Sequence, residues 1–487
     1  MSNSSEHFFH REDLVETLDA CLNRTLGEVD VNQVFDKTVT NPKITGIAGD
    51  VVEQSILGYP ADNRQEPDLN IDGVKTELKT TGIRMSKKEK NKYEAKEPMS
   101  ITAVSPNSIV LEVFEESSFW HKLRRLLFVY YLYAVTKTVP AADYANFPIK
   151  GYMFYKFSDE DREILKSDWT IVRDFIIDLQ NNYADYESQY PRISTELRDK
   201  LLFIDTAPKW PHHPRFRLKR AVITNIVQEH FGNTLEQLPG RYTSHSDIDR
   251  KCQELTSLYV GKTVRELVEY FSITGKIDGK SISEQIIVRM FDGHAKKMQQ
   301  IELFNKIGLL GKSITVTRQG LRTEDMKLFC IDFEEITNPE QEFDESSFRD
   351  YFADNQMMCI VFEEPSMEAP FKENKFLGFK RLIFDDAFIE QNVRPVWDKI
   401  RYLIYEQKLR DIVSIDKKTG QPKVNKTGIV QSAPNFPKSS EGIIFVRGSS
   451  SDSTFKPEEV NGIKMYRQYI WIKGSYVSNK LADIDLL

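Results

Sequence analysis

The chain has 487 residues, 40% of them hydrophobic, with 30 Phe and 20 Tyr, which suits large packed cores and excludes a wholly disordered protein. A net charge of −7 is the wrong sign for a protein that coats nucleic acid without specificity, but it leaves room for a local basic groove. The opening MSNSSEHFFHRED lacks the apolar core of a secretion signal, the longest apolar stretch (Leu126 to Val135) is too short to span a bilayer, and the scattered cysteines form no CxxC pair, so a cytoplasmic protein without zinc knuckles or a disulfide scaffold is expected.

Residues 11–27 place Leu14, Leu18, Cys21 and Leu22 at helical spacing. The segment QEPDLNIDGVKTELKTTGIR (65–84) follows. Val74–Thr80 is β-branched and roughly alternating, which predicts a strand with Glu77 and Lys79 on one face and Leu78 turned to the core. Asn70-Ile-Asp-Gly73 supplies a turn that can bring Asp68 beside Glu77. Two carboxylates and an ammonium on one strand face suit phosphodiester hydrolysis. The carboxylates hold Mg²⁺, a hard ion that prefers oxygen, and the lysine orients water or stabilises charge on the phosphate. Further along come a mixed-charge loop (86–98), the basic cluster Trp120–Arg125 before an apolar run, a helix signature at Asp168-Trp169 and the basic Arg215–Arg220. His212-His213 reads as an exposed loop pair, and Gly261-Lys262-Thr263 lacks the earlier glycine of a phosphate loop.

The chain is also internally doubled. Glu116-Ser-Ser-Phe119 recurs as Glu345-Ser-Ser-Phe348, Thr81-Gly-Ile-Arg84 as Gln319-Gly-Leu-Arg322, Glu53-Gln54 as Glu284-Gln285, and Trp169–Arg173 as Trp397–Arg401, all in the same order. One copy would span 1–238 and the other 243–487, joined through a polar segment with Gly and Pro, and each copy reads as mixed α/β.

The run GIAGDVVEQSILGYPADNRQEPDLNIDGVKTELKTTG resembles the MutH and Sau-type restriction endonuclease family, a branch of the PD-(D/E)XK nucleases. In that family a helix bearing G-x-x-x-E precedes P-D and then G-V-E-L-K-T. The resemblance implies Glu53 as the helical carboxylate, Asp68 and Glu77 as metal ligands, and Lys79 as the catalytic lysine. The family has six residues between Asp and Glu where this chain has eight, so Asp72 rivals Asp68; flanking Pro67 and Leu69 favour Asp68. Trp120–Arg125 is similar to the family's H-K-L-K-R, which makes Lys122 the residue that reaches the phosphate. Arg215–Arg220 is similar to G-F-Y-L-K-K beside the bases, with Arg217 in place of the tyrosine. The base-reading loop is not recognisable; Leu197–Lys200 and Ala207-Pro208-Lys209 are candidates.

The doubled length and the ending QYIWIKGSYVSNKLADIDLL look like the Sau-type enzymes. The resemblance thus implies a mixed α/β protein of two tandem restriction-endonuclease-fold domains, the second catalytically degenerate. It implies a Mg²⁺-dependent type II restriction endonuclease of the prokaryotic cytoplasm that cuts both strands of DNA at GATC. Asp68, Glu77, Lys79, Glu53 and Lys122 are the expected catalytic set; Arg84, Lys122, Arg217, Lys219 and Arg220 are the expected DNA contacts. Aligned on Gly82 and Gly320, Thr315 falls opposite Glu77 and Thr317 opposite Lys79; aligned on the ESSF repeat, Tyr351 falls opposite Lys122. The second copy is therefore expected to bind a second DNA site as an allosteric effector, with two sites per active complex and a DNA-induced dimer. The rivals are a MutH-like strand-nicking repair enzyme and a non-catalytic DNA-binding protein.

Overall fold

The alternating run at Val74–Thr80 lies within a longer strand, Val74–Met85, in the computed structural model. The structure describes residues 7–60, 66–86, 91–135, 139–207, 214–275, 277, 282–319, 324–366, 369–425, 428–450 and 452–487. By contact they divide into two units. Among them no helix is long and apolar enough to cross a membrane.

The first unit takes in residues up to Val135, Val139–Lys251 and Phe291–Gly308. Its strands are β1 (Phe8–Phe9), β2 (Leu69–Ile71), β3 (Val74–Met85), β4 (Tyr93–Ala95), β5 (Met99–Ala103), β6 (Leu126–Leu132), β7 (Ile149–Tyr155), β8 (Ile204–Ala207) and β9 (Arg215–Leu218). The main sheet runs β1-β2-β3-β6-β7, with β4 also paired to β3, and a smaller sheet runs β5-β9-β8. Asp72 and Gly73, both at positive φ, turn β2 back on β3. Strand β3 is parallel to β6, which is antiparallel to β7. Leu78, Leu127, Val129 and Tyr131 share one core with Leu14, Leu18 and Ile47, so Glu77 and Lys79 emerge on the other face beside Leu126 and Phe128. A Cβ at Gly82 would lie 2.8 Å from the Tyr131 hydroxyl oxygen, so glycine is what lets the ring pack across β3 there.

Two buried acids organise the rest of this unit. Asp168 accepts from the backbone N–H of Leu202, Phe203 and Ile204 at 2.8, 2.7 and 3.2 Å, which fixes the approach to β8. Burial pushes its carboxyl up to about 6 against the pull of those amides. Asp161, in the first turn of the helix Asp159–Asn182, receives the buried Lys306 ammonium at 2.9 Å and so ties the segment Phe291–Gly308 into the unit.

The second unit takes in Cys252–Met290 and Leu309–Leu487. Its strands are β10 (Leu309–Val316), β11 (Met326–Cys330), β12 (Gln356–Glu363), β13 (Lys375–Leu382), β14 (Asp411–Val413), β15 (Ser432–Pro434), β16 (Ile444–Gly448), β17 (Glu458–Val460), β18 (Ile463–Met465) and β19 (Gln468–Ile472). The sheets β10-β12-β13 and β11-β19-β16 repeat β3-β6-β7 and β5-β9-β8 with the same parallel and antiparallel senses. Local devices repeat too. Thr25 with Glu28, and Thr263 with Glu266, each form a reciprocal helix cap. Ser117 and Ser346 cap the two ESSF helices and each donates to the carbonyl of the Phe three residues back at 2.7 Å. The chain is therefore mixed α/β, with two copies of one fold in tandem.

This repetition corrects the alignment of the second copy. In the first, a bulge follows the pair Tyr130–Gly151; in the second, the same bulge follows Val361–Gly378. Tyr130 thus corresponds to Val361 and Leu126 to Met357. Because Glu77 pairs with Leu126 and Lys79 with Phe128, their counterparts are Leu310 and Lys312, not Thr315 and Thr317. Gly320 and Arg322, on which the sequence alignment rested, lie outside the described residues. The second copy has lost the strand carboxylate but kept a lysine. Tyr351 remains opposite Lys122, one residue before the buried Phe352 that matches Leu123.

Candidate active site

Glu77 is only 1% exposed although it carries a carboxylate. An isolated buried charge would be untenable, and two ammonium groups offset it. Lys79 Nζ lies 2.7 Å from Glu77 Oε1, and Lys122 Nζ lies 3.0 and 3.2 Å from Oε1 and Oε2. Lys79 reaches it because i and i+2 share a strand face. Lys122 reaches it from the helix Ser118–Leu123, which the Ser117 cap starts just before β6. The two lysines thus close Glu77 off from solvent.

Asp68 stands at the entrance to β2, and its Oδ2 accepts the Leu78 N–H at 3.0 Å. Burial, then the charge of Glu77, raise its carboxyl above the ordinary range, while Lys79, Lys122 and the Leu78 amide pull it down. The rival Asp72 points elsewhere. Its exposed carboxylate takes the His10 ring at 2.9 Å and the Arg11 N–H at 3.0 Å. No local pattern marks His7, whose Nδ1 lies 3.0 Å from the Asp68 backbone oxygen while its ring stacks on Tyr59. The 61-residue separation conceals that link.

The other expected residues are placed as follows. Glu53 lies half-buried in a π-helical stretch, Val52–Ile56, a distortion that often marks functional sites. Arg84 pairs with Glu94 at 2.9 Å across β3 and β4. Arg217 forms a fork with Asp205 at 2.8 and 3.0 Å across β8 and β9, a partner that went unnoticed in the sequence. Lys219 donates to the Leu201 carbonyl at 2.6 Å, and Arg220 opens the helix Arg220–His230. Of the candidate base-reading segments, Leu197–Lys200 is described, whereas Pro208 and Lys209 fall outside the described residues, as do His212, His213 and Lys87–Lys90.

Asp68 and Glu77 fit a divalent hard cation. Mg²⁺ commonly takes one or two carboxylates and completes its shell with water and substrate phosphate. No cluster of three or more His, Cys, Asp or Glu side chains able to hold a metal forms among the described residues. The local charges of Asp68, Glu77, Lys79 and Lys122 cancel formally, and a bound dication would make the site attractive to phosphate.

Two similarities to known proteins bear on this chain. The sequence profile of the family described as DNA mismatch repair enzyme MutH matches residues 57–168, which include Asp68, Glu77, Lys79 and Lys122 but stop short of Glu53. The type II restriction enzyme Sau3AI of Staphylococcus aureus is 23% identical over 480 residues, covering 90% of this chain and 92% of its own length, so the likeness runs through both copies. One copy carries the paired carboxylates and lysines, and the likeness to a restriction enzyme covers 90% of the doubled chain, so both comparisons support a resemblance to the MutH and Sau-type restriction endonucleases.

Proposed function

We propose that this protein is a Mg²⁺-dependent type II restriction endonuclease of the prokaryotic cytoplasm that cleaves both strands of duplex DNA at GATC. In this reading residues 1–238 hold the cutting copy, and residues 243–487 hold a copy that senses a second site without cutting. The observation that carries it is the buried Glu77 carboxylate clamped by Lys79 and Lys122 on the strand face that adjoins Asp68. Mg²⁺ held by Asp68 and Glu77 supplies Lewis acidity at the scissile phosphate. Lys79, the more exposed of the two lysines, holds the attacking water or a non-bridging oxygen, and Lys122 offsets charge that builds on the phosphate. The water oxygen bonds to phosphorus and gives up a proton to solvent, the ester P–O bond breaks, and the departing sugar oxygen takes a proton from solvent. Glu53 supports the site from its helix, and Arg84, Arg217, Lys219 and Arg220 contact DNA once it displaces their present partners.

Leu310 in place of Glu77 supports a non-cutting second copy. Coupling between two DNA sites of about 1–3 kcal/mol would change activity roughly 5–150-fold. The test incubates plasmids bearing one or two GATC sites with and without Mg²⁺ and sequences the ends. Faster double-strand cutting of the two-site plasmid is expected. Nicks alone would favour the strand-nicking rival. An absence of cleavage at any Mg²⁺ concentration would favour the non-catalytic one, and equal rates on both plasmids would remove the effector role.

A further inference from the structure

Between the helix Arg394–Tyr405 and β16, the second unit carries an element that the first lacks. At the matching point the first unit has a short helix, Pro191–Glu196, and no strand before β8. The second unit instead projects a β-ribbon, with β14 paired to β15 from Asp411–Pro434 to Val413–Ser432. Further bridges Ile415–Pro422 and Val424–Val430 carry it outward. Copying the fold did not require this element. It also exposes Ile412, Val413, Ile415, Val424 and Val430, and exposed aliphatic ribbons invite edge-to-edge association unless they have a use.

Its charge indicates the use. The described residues of 408–432 hold five cations (Lys408, Arg410, Lys417, Lys418 and Lys423) against Asp411 and Asp416, a net of +3 in a chain whose total is −7. Lys417, Lys418 and Lys423 are exposed and form no ion pair among the described residues. A cleft of about 360 Å³ opens beside the ribbon, lined in part by Asp411, Gln431, Lys438, Arg447 and Lys456; Arg447 is paired with Asp325 at 2.8 Å and Lys456 with Asp411 at 3.8 Å, so three cations meet one lining carboxylate. A two-stranded ribbon fits the roughly 12 Å major groove of B-DNA, and cations along its length match the phosphates on either side.

We propose that the ribbon Asp411–Pro434 is the arm by which the second unit grips duplex DNA, entering the major groove while the cationic cleft takes the backbone. The proposal rests on the reading of the second copy as a DNA-binding sensor and names the element that performs it. The aliphatic side chains then face thymine methyls and sugar edges, and the lysines contact phosphate.

The test uses the full-length chain in a Glu77→Gln background, which the proposed function expects not to cut. A short GATC duplex is titrated by fluorescence anisotropy over a range of salt, with the parent compared to Lys417→Glu/Lys418→Glu/Lys423→Glu. Circular dichroism and thermal melting check that the variant is folded, and Lys→Gln versions at the same positions serve if charge reversal disturbs it. The parent is expected to bind two duplexes per chain. The triple variant is expected to lose at least about 10-fold in affinity at the second, with the salt slope for that site smaller by about 3, near 0.9 for each lost phosphate contact. Unchanged second-site affinity and slope in the triple variant would overturn the ribbon assignment while leaving the sensor reading intact. A parent that binds only one duplex would overturn the sensor reading and the arm with it. Dimerisation of the parent without DNA, abolished by the triple variant, would assign the ribbon to a second copy of the chain instead.

Discussion

Replacing Glu77 by glutamine should weaken the protein as well as silence it. Lys79 and Lys122 both lie against the same oxygen, at 2.7 and 3.0 Å, so their ammonium groups are at most about 5.7 Å apart. Without the carboxylate, two like charges face each other in a site where both side chains are largely buried. At an effective dielectric of about 20 their repulsion is about 3 kcal/mol, in the range found when one partner of a buried pair is removed. Glu77→Gln should therefore lower the stability of the metal-free protein by about 2–4 kcal/mol, followed by urea unfolding with hydrogen exchange along β3 as the local probe. Adding Lys122→Met should restore much of that loss, since one ammonium then has no like-charged neighbour. Neither variant should cut DNA, and a drop of at least about 10²-fold is expected from losing a group that acts on the transition state. If Glu77→Gln unfolds at the wild-type urea midpoint, or if Lys122→Met worsens it further, the carboxylate does not neutralise both lysines.

Three further outcomes follow from the geometry. Asp68→Asn should abolish cleavage, whereas Asp72→Asn, exposed and at a positive φ that Asn tolerates, should cut at nearly the wild-type rate; plasmid digestion separates them, and the reverse result moves the ligand to Asp72. Because the Asp68 carboxyl is raised in the folded state, its contribution to metal-free stability is full below the ordinary carboxylate range and is lost as pH rises through the raised value. Mg²⁺ binding needs the carboxylate and should strengthen over the same rise; calorimetric affinity that stays flat from about pH 4 to 7 would contradict this. Asp168→Ala should destabilise the protein by about 3 kcal/mol or more, because three backbone donors at the start of β8 lose their acceptor, and a melting temperature within a degree of wild type would refute that role.

The sequence alone determined what short-range rules can determine. Strand β3 follows from its β-branched alternation, and that period of two puts Glu77 and Lys79 on one face and Leu78 in the core. The ordered repeats announce two copies of one fold. Tertiary structure decided whatever depends on partners far away in the chain. Asp68 rather than Asp72 joins Glu77 because the Leu78 amide takes one carboxylate while the His10 ring and Arg11 amide, across β1, take the other. The counterparts of Glu77 and Lys79 are Leu310 and Lys312 because a bulge at Gly378 fixes the ladder, and one misplaced anchor in a sequence alignment shifts every residue of a strand. Arg217 is held by Asp205, and Lys306 by Asp161, through pairings that no periodicity records. Local pattern fixes which face a side chain takes; which charge it meets there depends on how separate strands and helices pack.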